Sequence, residues 1–166
     1  MHAHKVLKLG AAVCAVSFLA AASNAAVTPR TGRRTTHLLN DMQYDARQIA
    51  HHAQVMENLA DHTQFSWDTE GLELRSVRTE INDMGNRLGR LQAMENAVAP
   101  SEQQAIQRLQ PLVEQMAQNA DAAIQFRNSH HSGYWAGPFM TDVKSIHAEA
   151  NTLVRTIHRD RERLGA

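Results

Sequence analysis

Residues 74–91 read LRSVRTEINDMGNRLGRL, and the apolar residues of this stretch recur at alternating steps of three and four. In an α-helix that spacing places them on one face, whereas a half-buried strand would need every second residue to be apolar. The pattern therefore predicts an amphipathic helix whose apolar face, here called its seam, packs against other helices. The seam residues are Leu74, Val77, Ile81, Met84, Leu88 and Leu91, with Val98 one heptad further on.

The same spacing predicts a helix on the N-terminal side of this stretch. Helix 1 is expected from Thr36 to Asp61, and the quoted helix 2 is expected to begin near Ser66, a plausible N-cap. Gly85 and Gly89 lie four residues apart on the flank of helix 2, which favours the close approach of a neighbouring helix, although two chance glycines would look the same. The seam of helix 1 consists of Leu39, Met42, Ala46, Ile49, Ala53, Met56 and Ala60.

Two more helices are predicted after the break at Pro100. Ser101 and Gln104 have the spacing of a capping box, which would start helix 3, and helix 3 is expected to end near Asn128. Pro111 is expected to kink or divide that helix. Helix 4 is expected to start at Pro138. The two seams are Ile106, Leu109, Val113, Met116, Ala120, Ala123 and Ile124, and Met140, Val143, Ile146, Ala150, Leu153, Ile157 and Leu164.

Short connections between long helices favour antiparallel packing of sequential neighbours. The predicted fold is thus all-α, an up-down-up-down antiparallel four-helix bundle over residues 36–166, preceded by a flexible, basic lead at residues 27–35. Arg30, Arg33 and Arg34 of this lead could touch anionic lipid or a partner, but a solvated tail is the favoured alternative because three charges in a flexible segment bind weakly. A pair of two-helix hairpins that dimerises would have the same pattern, so a monomer and a homodimer both remain open.

Residues 1–26 have the pattern of a secretory signal peptide. Lys5 and Lys8 precede an uncharged apolar run of about 14 residues, and the small residues that follow it fit cleavage before Ala26 or, equally, one residue later. The run is short for a membrane anchor, which needs roughly 20 residues. The expected mature protein is exported to the periplasm or the extracellular space, is not stably inserted in the membrane, and has no cysteine because Cys14 is removed.

Composition narrows the function classes. The 166 residues include 17 basic and 17 acidic side chains, and removal of residues 1–26 leaves 15 basic and 17 acidic ones. A general nucleic-acid binder would show a basic surplus. Aromatic residues make up 5%, which argues against an all-β fold. No phosphate-binding loop, nucleophile elbow, pair of catalytic carboxylates or di-iron Glu-x-x-His pair occurs, so no enzyme is predicted.

The stretches 66–94 and 97–124 resemble a group of uncharacterised secreted helical proteins of acidobacteria-type bacteria. The resemblance depends on Ser66-Trp67 at a helix start, on the Asn-x-Met-Gly motif at 82–85, on Pro100, and on Pro111-Leu112 followed by Asn119. It covers about residues 60–125. Because no activity is known for that group, the resemblance implies a secreted helical protein and no particular chemistry.

Histidines are the first candidate ligands. His62, His130 and His131 are expected at one end of the bundle, where three imidazoles could hold zinc or copper. The alternative is a solvated end with polar histidines. His52 and His147 flank two seams at comparable depth; they could share a proton or a metal ion, or each could be a boundary residue with one hydrogen bond.

A b-type haem is the second candidate cofactor. Met42 near the start of helix 1 and His158 near the end of helix 4 stand where haem-binding bundles place their axial ligands. The alternative for Met42 is core packing, since it belongs to a continuous apolar seam.

Aromatic residues concentrate near the same end as His62. Trp67, Tyr134, Trp135 and Phe139 could form a contact surface for a partner, or they could plug the open end of the core. The function expected from the sequence is a non-enzymatic exported bundle of the cell envelope with an interaction or accessory role and no cofactor; the alternative is a periplasmic haem- or metal-binding bundle. A protein partner is possible, and its identity is open.

Overall fold

The computed structural model describes residues 29–60, 67–130 and 137–164. These residues form four α-helices and one short 3-10 helix, and the described part contains no strand. The helices are α1 (Pro29–Ala60), α2 (Trp67–Gln92), α3 (Pro100–Ser129) and α4 (Pro138–Arg163), with the 3-10 helix at Glu95–Ala97 between α2 and α3. None of these helices is both long enough and apolar enough to cross a membrane. The proposed signal peptide lies outside the described residues.

The four seams meet in one core. α1 packs against α2 and α4, and α3 packs against the same two helices, so four interfaces surround a shared interior. Nearly every predicted seam residue is buried; Ala60, Ile124, Met140 and Leu164 are partly exposed. The three–four spacing thus predicted the buried face of each helix correctly, because helix geometry alone decides which residues share a face.

Helix α1 begins earlier than the sequence indicated. The prediction of a flexible lead to residue 35 was wrong from Pro29 onward, since α1 already runs from that residue. The hydroxyls of Thr35 and Thr36 donate to the carbonyls of Thr31 and Gly32, one turn back. Thr35 is buried, so this first part of α1 is held by packing as well as by local hydrogen bonds.

The N-cap of α3 lies two residues before Ser101, the N-cap predicted from the sequence. Pro100 is the first helical residue, and the extended residue Ala99 is the N-cap. The Glu102 carboxylate accepts the Ala99 N–H at 2.9 Å, so the predicted capping box at Ser101 is wrong. The helix is not divided at Pro111, which lies at an exposed position inside it.

Glycines have two different roles at the helix surfaces. Gly137 has φ = 91°, a conformation that favours glycine, and it turns the chain into α4 at Pro138 as predicted. Gly85 and Gly89 face open space, so the prediction that they admit a neighbouring helix is wrong. The close approach occurs at Gly71 instead, where the Arg127 side chain of α3 lies against the backbone of α2.

Candidate functional site

Four buried polar residues continue the seams toward the helix ends. Each lies three or four residues beyond an apolar seam residue, so the helix turns it toward the interior. Sequence reasoning missed them because it followed apolar residues alone, although the continuing three–four step was visible. These residues are Thr35 in α1, Glu70 in α2, Glu102 in α3 and Asp160 in α4.

Two of these buried acids lie next to an arginine of α3. Asp160 Oδ1 accepts a hydrogen bond from Arg108 Nη2 at 2.7 Å, and Glu70 Oε2 lies 4.0 Å from Arg127 Nε. A buried carboxylate is costly without a compensating charge or hydrogen bond. Helix α3 therefore neutralises one acid of α4 near its own start and one acid of α2 near its own end.

A third buried acid lies in the interface between α1 and α2. Asp45 Oδ2 accepts a hydrogen bond from Arg87 Nη1 at 2.6 Å, and the Asp45 side chain is 3% exposed. Burial raises the pKa of Asp45 to about 6, the Arg87 charge lowers it, and the nearby acids Glu80, Asp83 and Asp41 raise it further. The removal of this carboxylate from water therefore outweighs its ion pair.

The two boundary histidines bind different partners. His52 Nδ1 lies 2.6 Å from Glu73 Oε2 and joins α1 to α2, whereas His147 Nδ1 lies 2.8 Å from Glu57 Oε1 and joins α4 to α1. All four side chains are one-fifth to one-quarter exposed. Each histidine is thus a boundary residue that pairs with a carboxylate, and the two imidazoles do not share a common group.

An amide clamp joins α3 to α4. Asn119 Nδ2 donates to both carboxylate oxygens of Glu149, at 2.9 and 3.0 Å. Burial raises the pKa of Glu149, and the hydrogen bond from Asn119 partly offsets that shift. Asn119 therefore holds a partly buried acid at a helix interface, a role that its place in the resemblance did not indicate.

Only one of the three candidate metal ligands lies in the described part. His62 and His131 fall outside the described residues. His130 ends α3, is exposed, and stacks on Phe126 with ring centroids 4.0 Å apart. Its Nδ1 lies 2.9 Å from the Phe126 carbonyl, so Nδ1 carries the proton and Nε2 is the nitrogen left for a ligand. Among the described residues, no three His, Cys, Asp or Glu side chains could hold a metal ion together.

Of the two candidate haem ligands, one faces the core and the other faces solvent. Met42 is completely buried in the core. His158 is 64% exposed, and its Nε2 lies 3.4 Å from Glu162 one turn further along α4. The structure therefore does not bring Met42 and His158 to one surface.

The candidate aromatic surface is described at one residue only. Phe139 is 1% exposed and belongs to the core at the start of α4. Trp67 is the first residue of α2, but its side chain is outside the described part, as are Tyr134 and Trp135. Phe139 therefore contributes a buried side chain and not a contact surface.

The sequence indicated only the α1 part of an arginine-rich end, and there a solvated tail was the favoured alternative to a lipid or partner contact. Exposed arginines lie on the first turns of α1 and on one face of α4, where the residues are four apart. Arg33 and Arg163 line one open cavity of about 530 Å³, and Arg159 and Arg163 line another of about 270 Å³ with Arg108. We call the following residues the arginine end: Arg33, Arg34, Arg155, Arg159 and Arg163.

These five charges are not neutralised locally. Within the described residues, no member of the arginine end forms an ion pair with a carboxylate. Asp160, the buried acid beside them, is already bound to Arg108. Two further acids lie near this end: Glu102, which is buried, lines the cavity of Arg33 and Arg163 and accepts the Ala99 N–H, and Glu162, which is exposed and pairs with His158. Five arginines against these two acids leave the arginine end with a positive excess on a protein whose total formal charge is zero.

Comparison with known proteins gives no relative from which a role could be transferred. The chain matches no family model, no curated protein and no solved structure.

Proposed function

We propose that the protein is a non-enzymatic, exported helical bundle of the cell envelope that binds an anionic lipid surface through its arginine end. The observation that carries the proposal is the excess of exposed arginines without an ion-paired carboxylate at this end, where Arg33 of α1 and Arg163 of α4 line one cavity. Each arginine near an anionic membrane surface contributes about 1 kcal/mol of attraction. Several such charges on exposed helix faces suit a broad, flat surface better than a narrow pocket.

The proposal includes the up-down-up-down arrangement of the bundle. It is supported by polar contacts that join the early part of one helix to the late part of the next. Along α1, Asp45 contacts Arg87 late in α2, whereas His52, further on, contacts Glu73 early in α2. The remaining three interfaces follow the same order, with contacts Gln43–Val154, Glu57–His147, Arg108–Asp160, Asn119–Glu149, Gln92–Gln110 and Glu70–Arg127.

Export is part of the proposal and depends on residues 1–26 of the sequence. The basic start, the short apolar run and the small residues before Ala26 are what a signal peptidase substrate requires. On the far side of that membrane the protein would meet anionic phospholipid headgroups directly. Peripheral binding by the arginine end is compatible with a chain that does not stay inserted after cleavage.

Vesicle co-sedimentation tests the proposed function. The purified chain is expected to bind vesicles with about 30% phosphatidylglycerol and not vesicles of phosphatidylcholine alone, and binding should weaken as salt rises from about 50 to about 500 mM. The double variant R159Q/R163Q removes two charges of the arginine end. It should lose about 2 kcal/mol of binding, which is roughly a 30-fold weaker affinity.

A charge-matched variant separates this surface from general electrostatic attraction. R47Q/R90Q removes two exposed arginines, one of α1 and one of α2, outside the arginine end. It should bind phosphatidylglycerol vesicles nearly as well as the wild type. Equal losses in both double variants, or salt-independent binding, would contradict the proposal.

A further inference from the structure

A separate cleft lies between the start of α2 and the end of α3. It has a volume of about 270 Å³ and is open to solvent at one side. The interface between α2 and α3 is the most loosely packed of the four, which leaves room for the cleft. Its walls carry three arginines, one amide and two apolar side chains: Arg75, Arg78, Arg127, Asn128, Leu74 and Ile124.

The position of Arg127 depends on Gly71, because a glycine has no side chain to occupy the space. A Cβ added to Gly71 would lie 2.5 Å from Arg127 Nη2, so only glycine lets the guanidinium lie there without a shift. Glu70, which is completely buried, lies behind it with Oε2 4.0 Å from Arg127 Nε. Glycine and a buried acid together place one guanidinium at the wall of the cleft.

The two arginines of α2 add to this charge. Arg75 Nε donates to the Gly71 carbonyl at 3.0 Å, which fixes the side chain along the helix. Neither Arg75 nor Arg78 forms an ion pair with a carboxylate of the described residues. Arg75 and Arg78 add their two charges to the cleft wall beside the Arg127–Glu70 contact, and no described acid lines the cleft.

We infer that this cleft binds a small soluble oxyanion with a short apolar chain, such as a carboxylic acid. Guanidinium groups bind carboxylate and phosphate oxygens in paired hydrogen bonds, and the Asn128 amide adds a further donor. Ile124, which is partly exposed, offers an apolar surface to the chain, whereas Leu74 is almost completely buried where it lines the cleft. The cleft volume of about 270 Å³ leaves room for a small molecule of this kind, and hexanoate, with one carboxylate and a five-carbon chain, is a suitable probe.

A titration with three matched probes tests the inference. The full chain labelled with nitrogen-15 is titrated with hexanoate, hexanol and acetate, and the amide signals of Gly71 and Asn128 are followed. Hexanoate should bind saturably and shift these signals, because it supplies both the anion and the chain. Hexanol and acetate should each bind at least tenfold more weakly, since each lacks one of the two features.

Three variants assign the binding to the cleft. R78Q and R75Q should each weaken hexanoate binding at least tenfold, and R78Q, whose side chain is exposed, is expected to leave the fold intact. G71A should weaken it too, by displacing Arg127. R159Q, at the arginine end, should leave hexanoate affinity unchanged.

Three outcomes would overturn the inference. Equal weakening by R78Q and R159Q would mean non-specific charge attraction. Equal affinity for hexanol and hexanoate would mean that the arginines do not take part. If R78Q weakens phosphatidylglycerol-vesicle binding and leaves hexanoate binding unchanged, the cleft takes a lipid headgroup and not a soluble anion. None of these outcomes depends on the vesicle result for R159Q/R163Q, so the two proposals fail independently.

Discussion

At the scale of single residues, Asp45 links burial to a measurable pH dependence. Its pKa is about 6 in the folded chain against an ordinary value of 3.8, so the folded chain binds this proton more tightly than the unfolded chain. The contribution of Asp45 to stability is therefore complete below about pH 4 and is lost as the pH rises through 6. Two pKa units correspond to about 3 kcal/mol.

The variant D45N isolates this contribution. The free energy of unfolding is measured with urea for the wild type and for D45N between pH 4 and pH 8. Relative to that of the wild type, the value for D45N should rise by about 3 kcal/mol as the pH rises. D121N, which removes an exposed carboxylate, provides the baseline for a lost surface charge. If the free energy of unfolding of the wild type instead rises relative to that of D45N as the pH rises, the ion pair with Arg87 outweighs burial and the assigned pKa direction is wrong.

For single residues, the sequence predicted which side chains are buried better than it predicted which side chains pair with each other. The three–four spacing indicates that Glu70 faces inward, since it lies four residues before Leu74. It does not indicate that Arg127, 57 residues away, lies beside that acid. Pairings such as His147 with Glu57 depend on how far each helix is displaced along its neighbour, which no local pattern specifies. The arginine end was only partly predicted for the same reason, because Arg33 and Arg34 were considered as lipid or partner contacts while the arginines of α4 come from the opposite end of the sequence.

At the scale of helices, the start of α3 allows a test between two N-caps. The structure has Ala99 in this position, whereas the sequence indicated Ser101. Ala99 has φ = −65° and ψ = 153°, which suits an N-cap, but its methyl group cannot accept a hydrogen bond. Serine at this position would supply the missing acceptor. A99S should raise the free energy of unfolding by about 0.5–1 kcal/mol, measured by urea denaturation.

The matched control for this cap is S101A. Ser101 is exposed and lies inside the first turn of α3, so its loss should change stability by less than about 0.5 kcal/mol. If S101A lowers the free energy of unfolding by about 1 kcal/mol and A99S does not raise it, Ser101 is the N-cap, as the sequence predicted. That prediction failed because Ser101 and Gln104 match the capping-box spacing, while Pro100 already suits the first helical position.

Helix boundaries in general were less predictable than helix faces. Pro138 with the preceding Gly137 marks the start of α4 correctly, because both residues restrict the backbone locally. The start of α1 was placed at Thr36, since residues 27–35 are polar and basic. Thr35 nevertheless continues the seam, four residues before Leu39, and its burial carries the helix back to Pro29.

At the scale of the whole molecule, the continuous core predicts that the four helices unfold together. Far-ultraviolet circular dichroism reports all helices, whereas tryptophan fluorescence reports Trp67, at the start of α2, and Trp135, shortly before α4. Leu109 lies in the first half of α3 and is completely buried. Its replacement by alanine should cost about 2–5 kcal/mol, as truncations in a packed core do.

If the bundle is one cooperative unit, L109A should shift the dichroism and the fluorescence transitions by the same amount, because unfolding of α3 exposes the seams of α2 and α4. L72A removes the same atoms from an exposed position of α2, 57% accessible, and should shift neither transition by more than about 0.5 kcal/mol. A fluorescence transition that splits into one shifted and one unshifted part would mean that two helical hairpins fold separately, as in a dimerising hairpin pair, because Trp67 belongs to the first hairpin and Trp135 lies between α3 and α4 in the sequence. Coincident transitions at protein concentrations tenfold apart would exclude that arrangement, since a dimer gains stability with concentration.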